Sequence, residues 1–220
     1  MTDLYCVFGN PVGHSRSPDI HHAFAAQRGE DLRYEKREPP LDGFPGAVAD
    51  FFTEGGRGAN VTVPFKEEAY SLCGELTERA RQAGAVNTLW QQDGLLFGDN
   101  TDGAGLMADL RHNLGWQIEN RRVLLLGAGG AMRGILGPLL GHQPSQVLIA
   151  NRTASKAETL AELFQGSGIP VYGTSLEGLR GQFDLLINGI SAGLHGEMPA
   201  LAEGLLKPGA VAYDMVYGRQ

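Results

Sequence analysis

Residues 122–134 read R-V-L-L-L-G-A-G-G-A-M-R-G, and this stretch constrains the fold more than any other. Arg122–Leu126 is an apolar strand, and the glycines at 127, 129 and 130 turn it into a helix over Gly130–Leu140. A second strand follows at Val147–Ala150, a helix at Ser155–Phe164, and strands at Val171–Tyr172, Phe183–Ile187 and Ala210–Asp214. Strands that alternate with helices read as a parallel sheet with helices on its faces. This half of the chain is therefore expected to be a Rossmann-like dinucleotide-binding domain.

Backbone amides at such a turn can approach a pyrophosphate, and the helix N-terminus favours its charge. The pattern is not a full G-x-G-x-x-G, because Met132 stands at the third glycine position. The next strand ends in A-N-R-T, where an NAD site would carry Asp or Glu for the ribose 2′-hydroxyl. Here the residues are Asn151, Arg152 and Thr153, with Lys156 one turn later. Arg152 offers a fork of donors to a phosphate, and cations at a helix start are otherwise misplaced against its dipole. NADP rather than NAD is the expected cofactor. The plain alternatives are a tight β-α turn and two solvated cations. N-G-I-S-A-G-L at 188–194 is either a second cofactor turn or an ordinary Gly-rich loop.

The first half is also α/β. Strands are expected at Leu4–Phe8, Arg33–Arg37, Ala59–Val63, Ala85–Trp90 and Leu95–Gly98, and helices over Ser17–Gln27, Phe44–Thr53 and Glu75–Gln82. Q-Q-D-G at 91–94 signals a hairpin through its Asp-Gly. Thr101 or Asp102 caps a helix running to about Arg111. The chain thus reads as two α/β domains: residues 1–101, with a mainly parallel sheet, and residues 102–220.

N-V-T-V-P-F-K at 60–66 alternates, with Asn60, Thr62, Pro64 and Lys66 on one face and Val61, Val63 and Phe65 on the other. Proline gives no ladder hydrogen bond, so the chain is expected to leave the sheet at Pro64, with Lys66 just past the strand's C-terminal edge. Ligands of open α/β sheets bind at that edge. Ser15 and Ser17, with a helix start beside them, make a donor cluster suited to a carboxylate. Alone, Ser17 would read only as a helix cap. Lys66 suits a general acid–base if burial lowers its ammonium, Asp102 can share its proton network, and Asn87 can bind a substrate hydroxyl. Each also has a bland reading: a solvated lysine, an N-cap and a turn residue.

Net charge is −7, which argues against nucleic-acid or anionic-membrane partners. The six histidines and two cysteines show no ligand spacing, so no metal is expected. Residues 123–140 are apolar but contain Arg133 and six glycines or prolines, which is poor for a membrane span. No signal pattern opens the chain, and a cytoplasmic location is expected.

G-N-P-V-G-H-S-R-S-P, N-V-T-V-P-F-K, G-A-V-N-T-L, N-T-D-G-A-G, G-A-G-G-A, N-R-T, N-G-I-S-A-G-L and Y-D-M-V-Y occur in the order seen in shikimate dehydrogenases, and the chain resembles that family over nearly its whole length. The resemblance implies NADP-dependent, reversible reduction of 3-dehydroshikimate to shikimate, in the pathway to chorismate and aromatic amino acids. It implies Lys66 and Asp102 as the catalytic pair, and Ser15, Ser17, Asn60, Thr62, Asn87 and Tyr217 as substrate-binding residues. It assigns Gly127, Ala128, Gly129, Gly130 and Ala131 to the pyrophosphate, Asn151, Arg152, Thr153 and Lys156 to the 2′-phosphate, and Met215 to the cofactor. A quinate/shikimate dehydrogenase relative and a non-catalytic NADP-binding module are the competing readings. Family members continue with helices that return to the first domain, so impaired turnover of this 220-residue form is expected, as is self-association through the surface left uncovered.

Overall fold

The computed structural model describes residues 2–190, 201 and 203–215. The chain divides into two compact units, Met1–Thr101 and Asp102–Gln220.

The first unit holds strands β1 (Asp3–Phe8), β2 (Leu32–Arg37), β3 (Gly56–Val61), β4 (Glu75–Leu76), β5 (Thr88–Gln92) and β6 (Leu95–Asp99). They form one sheet in the order β2-β1-β3-β5-β6-β4. β1 pairs in parallel with β2 and β3, whereas β5 runs antiparallel to both β3 and β6. Helices α1 (Ser17–Arg28), α2 (Phe44–Thr53), α3 (Lys66–Leu72) and α4 (Glu78–Ala83) complete the unit. Cys6 and Phe8 of β1 face a core shared with Phe44, Val48 and Phe51 of α2. Val7, between them in sequence, packs with Val12 and Tyr34 in a separate cluster, as strand alternation requires. The Asp93-Gly94 turn of the β5–β6 hairpin has φ of 50° and 77°, the paired positive values of a type I′ turn.

Three expectations for this unit need correction. β3 ends at Val61, two residues before the expected end, and the alternation fails beyond it: Phe65 is buried, but Val63 is 48% exposed. Lys66 lies past the strand's end as expected, but it is the first residue of α3, a helix that was not expected because strand alternation in the sequence conceals it. The segment expected as one helix over 75–82 is strand β4 followed by α4, because Thr77 accepts a hydrogen bond from the Ala80 amide and starts the helix there.

The second unit holds α5 (Asp102–Ala108), continued by a wider turn over Asp109–Asn113, then β7 (Arg122–Leu126), α6 (Gly130–Leu140), β8 (Gln146–Asn151), α7 (Ala154–Glu162), β9 (Val171–Ser175), β10 (Phe183–Asn188) and β11 (Leu206–Asp214). The sheet is parallel throughout, in the order β11-β10-β7-β8-β9. Central β7 is buried on both faces. Val123 and Leu125 join the core of Ile135, Leu139 and Leu160, while Leu124 and Leu126 join Phe183 and Leu186 on the other side. A Cβ on Gly103 would lie 2.4 Å from the Gly134 carbonyl oxygen, so glycine is what lets α5 lie against α6.

Candidate active site

In the first unit, strand directions gather the polar residues. β1, β3 and β6 end at one edge of the sheet; β5, being antiparallel, begins there. The loop after β1 (9–16), the turn after β3 (62–65), the lead into β5 (Asn87) and the residues after β6 (Asn100, Thr101) therefore share that edge. The Thr62 amide donates to the Phe8 carbonyl at 2.8 Å, and the Asn10 amide to the Val63 carbonyl at 3.0 Å. Gly9 is required here, since a Cβ would sit 2.5 Å from the Thr62 methyl.

The predicted substrate residues meet along this edge. The buried Ser15 hydroxyl donates to Ser17 Oγ at 3.1 Å and accepts from the Ser17 amide at 3.3 Å. Ser17 is thus not the cap of α1, whose boundary residue is Arg16; the Ser15 oxygen receives the first helical amide instead. Asn60 accepts from the Tyr34 phenol at 2.5 Å through Oδ1, and its Nδ2 donates to the Asn87 carbonyl at 3.3 Å. Asn87 Oδ1 accepts from the Thr101 amide at 3.0 Å and the Thr88 hydroxyl at 2.8 Å. Both asparagines have their carbonyl oxygens engaged, and their amide nitrogens donate within the same edge, Asn87 Nδ2 to the Thr101 hydroxyl at 3.0 Å.

Lys66 is half-buried at the start of α3, and its carbonyl accepts from the Val86 amide at 2.8 Å, next to Asn87. Sequence reasoning did not single out the brace beneath. Asp99 Oδ1 accepts from Arg79 Nε at 2.6 Å, the Thr77 hydroxyl at 2.6 Å and the Asn100 amide at 2.7 Å. The paired Arg79 guanidinium holds the Asp99 carboxyl below its ordinary value, against the opposing effect of burial. Asn100, 1% exposed, donates to the Ala85 carbonyl at 3.0 Å, so residues 99–101 are fixed to the segment leading into β5 that carries Asn87. Tyr34 was missed as well. Burial pushes its phenol up, and the His21 ring stacks on it at 4.4 Å.

In the second unit, the sheet order reverses between β7 and β10, the position where ligands of such sheets bind. The Gly127 amide donates to the Ala150 carbonyl at 2.8 Å and the Gly189 amide to the Leu126 carbonyl at 2.9 Å. Gly127 has φ of 108°, a conformation that glycine adopts at little cost and that residues with a side chain rarely adopt. Gly129 is exposed, and a Cβ there would meet nothing within 4 Å, leaving the start of α6 open to an incoming group. Ala128 is buried, and Gly130 and Ala131 are half-buried in the first turn of α6. Met132 points inward, fully buried, with its methyl 2.2 Å from where a Gly189 Cβ would be. A third glycine is not needed, because that side chain fills core rather than the turn.

Arg152, Thr153 and Lys156 are exposed at the N-terminus of α7, whose first turn has no acidic residue. Asn151 Nδ2 donates to the Thr153 carbonyl at 3.0 Å, closing the turn that presents Arg152. Met215 lies at the same sheet edge, its amide donating to the Asn188 carbonyl at 2.9 Å. Asp102 is half-buried at the first residue of α5. Tyr217 lies outside the described residues. Among the described residues there is no cluster of three metal-ligating side chains, and no helix is long and apolar enough to cross a membrane.

Comparison with known proteins bears on both units. The profile described as "Shikimate dehydrogenase substrate binding domain" matches residues 7–89, and that described as "Shikimate / quinate 5-dehydrogenase" matches residues 109–195. The chain is 66% identical to "Shikimate dehydrogenase (NADP(+))" of Alcanivorax borkumensis, over 100% of this chain and 79% of that one. Among solved structures, an Ael1 enzyme from Pseudomonas putida is 42% identical with a TM-score of 0.86, over 99% of this chain and 80% of that one. A Thermus thermophilus shikimate 5-dehydrogenase, solved with NADP(H) and shikimate, is 34% identical with a TM-score of 0.85, over 99% and 80%.

Proposed function

The chain belongs to the shikimate dehydrogenase family, and from that premise we propose that it interconverts 3-dehydroshikimate and shikimate with NADP, in aromatic amino acid biosynthesis. The observation that carries this reading is the 66% identity over the whole chain to an NADP-dependent shikimate dehydrogenase. The convergence of donors at one sheet edge supports it. The hydroxyls of Ser15 and Ser17 suit the substrate carboxylate; Asn60, Thr62 and Asn87 suit the ring hydroxyls, with Tyr217 assigned to the substrate from its motif alone.

NADPH, when bound, supplies the hydride that reduces the ketone carbon. The carbonyl oxygen gains negative charge as that happens and must receive a proton. Lys66 donates it from its ammonium, and Asp102 is assigned from its motif as the second member of the catalytic pair. In the reverse direction Lys66 accepts the hydroxyl proton. The open Gly129 turn fits a pyrophosphate, with Gly127, Ala128, Gly130 and Ala131 around it and Met215 at the same edge. Among the described residues, Arg152 and Lys156 make no side-chain ion pair, which suits a 2′-phosphate bound with Asn151 and Thr153.

Shikimate-dependent formation of NADPH tests the reading. Lys66→Ala is expected to lose at least about a hundredfold in kcat with little change in shikimate affinity, the range for removing a general acid–base. Turnover by that variant at the parent rate would refute the role. Quinate in place of shikimate distinguishes the quinate/shikimate relative, and NADP binding without turnover would favour a binding module. We further place the enzyme in the cytoplasm, a reading supported by two free cysteines, Cys6 and Cys73, the latter's thiol pushed up to about 11 by burial. Ile20 and Phe24 project one turn apart from α1, 48% and 55% exposed, and support association with a second copy. Sedimentation at rising concentration checks this; a monomer throughout refutes it.

A further inference from the structure

We propose that Tyr34 is a positioning residue that fixes the polarity of Asn60 toward the substrate, an inference resting on the substrate role proposed above for Asn60. Tyr34 lies on β2 and Asn60 on β3, with β1 between them in the sheet. The phenol crosses β1 in a cluster with Val7 and Val12 and donates to Asn60 Oδ1 at 2.5 Å. Its ring is 5% exposed and held in plane by His21, stacked with rings 12° apart. The backbone is held too, since the Tyr34 amide donates to His22 Nε2 at 3.4 Å.

An asparagine amide can bind in two orientations that differ by a half-turn, one presenting an acceptor and the other a donor. A buried hydroxyl that donates to Oδ1 selects one of them. Asn60 Nδ2 is then left with two long contacts, 3.3 Å to the Asn87 carbonyl and 3.5 Å to Thr88 Oγ1. Bonds of that length are weak and readily exchanged for a ligand oxygen.

Tyr34→Phe keeps the ring and its packing but removes the donor. KM for shikimate is expected to rise about tenfold, the scale of one buried hydrogen bond, with kcat and KM for NADP little changed and the unfolding midpoint lowered modestly by the same lost bond. A merely structural tyrosine would shift the midpoint and spare the KM, so the KM is the reading that decides. In combination with Asn60→Ala the effect should vanish, because Tyr34 acts through Asn60. Asn60→Asp provides a check that leaves Tyr34 intact: the carboxylate accepts from the phenol but has no N–H, so KM should rise at least as much as in Asn60→Ala. A Tyr34→Phe enzyme within about twofold of the parent KM, additive effects in the double variant, or an Asn60→Asp enzyme with parental KM would each overturn the proposal. Should Asn60→Ala itself leave the shikimate KM unchanged, the substrate role of Asn60 fails first, separately from Tyr34.

Discussion

Gly129→Ala separates a turn shaped for the fold from a turn shaped for a ligand. The added methyl would have no neighbour within 4 Å, and the residue's φ of −87° suits any L-amino acid. Alanine is a poorer N-cap than glycine, at a cost of up to about 1 kcal/mol. It also restricts the unfolded chain, which favours the folded one by about 0.4–1 kcal/mol. The two effects nearly cancel, so urea unfolding should give a stability within about 0.5 kcal/mol of the parent. A pyrophosphate seated on the backbone of 127–131 would meet the methyl directly. Loss of that close approach should weaken NADP binding at least about tenfold, read by calorimetric titration of the same sample. Gly127→Ala serves as the contrast: at φ of 108° it should destabilise the fold by more than about 1 kcal/mol. Parental NADP affinity in Gly129→Ala would refute the placement of the pyrophosphate. A large loss of stability there would refute the reading of the turn as open.

Arg152→Ala should raise the KM for NADP by about tenfold or more while leaving that for NAD within about twofold, because only the 2′-phosphate uses the guanidinium; equal effects on both cofactors would refute it. Asp99→Asn should lower stability at pH 7 by about 1–2 kcal/mol, allowing for the half-exposed Arg79. Since Arg79 depresses the Asp99 carboxyl in the folded chain, this contribution is complete above the ordinary carboxylate range and is lost as pH falls through the folded-state value. The gap between parent and variant should therefore be constant from about pH 8 to pH 5 and close at lower pH, as followed by urea unfolding across that range.

Elements bounded by glycine or proline were legible in the sequence. Phe44–Thr53, Arg122–Leu126 and Gly130–Leu140 form as read, because an apolar run between breakers leaves little choice of ends. α3 was not, since K-E-E-A-Y-S-L is seven residues long and follows a strand whose alternation in the sequence continues up to Lys66. Ser15, Ser17, Asn60, Thr62, Lys66 and Asn87 were legible as residue types at predicted strand ends. What no local pattern carried was the bonding between them. Tyr34 looks like an ordinary strand aromatic until its phenol meets an amide 26 positions away. Arg79 and Asp99 look like surface charges until a hairpin brings them together over 20 positions.

The parallel pairing of β10 with β7 spans about sixty positions, marked by the Arg122 amide donating to Asp184 at 2.9 Å. Gly127 and Gly189, which pack against each other at the proposed cofactor turn, become neighbours only once that pairing has closed. Closures over so long a loop are entropically costly and slow, so this part of the sheet should mature late during refolding. Nucleotide capture would then report the final stage of maturation, and supplying NADP during renaturation should raise the yield of native protein by trapping the finished state.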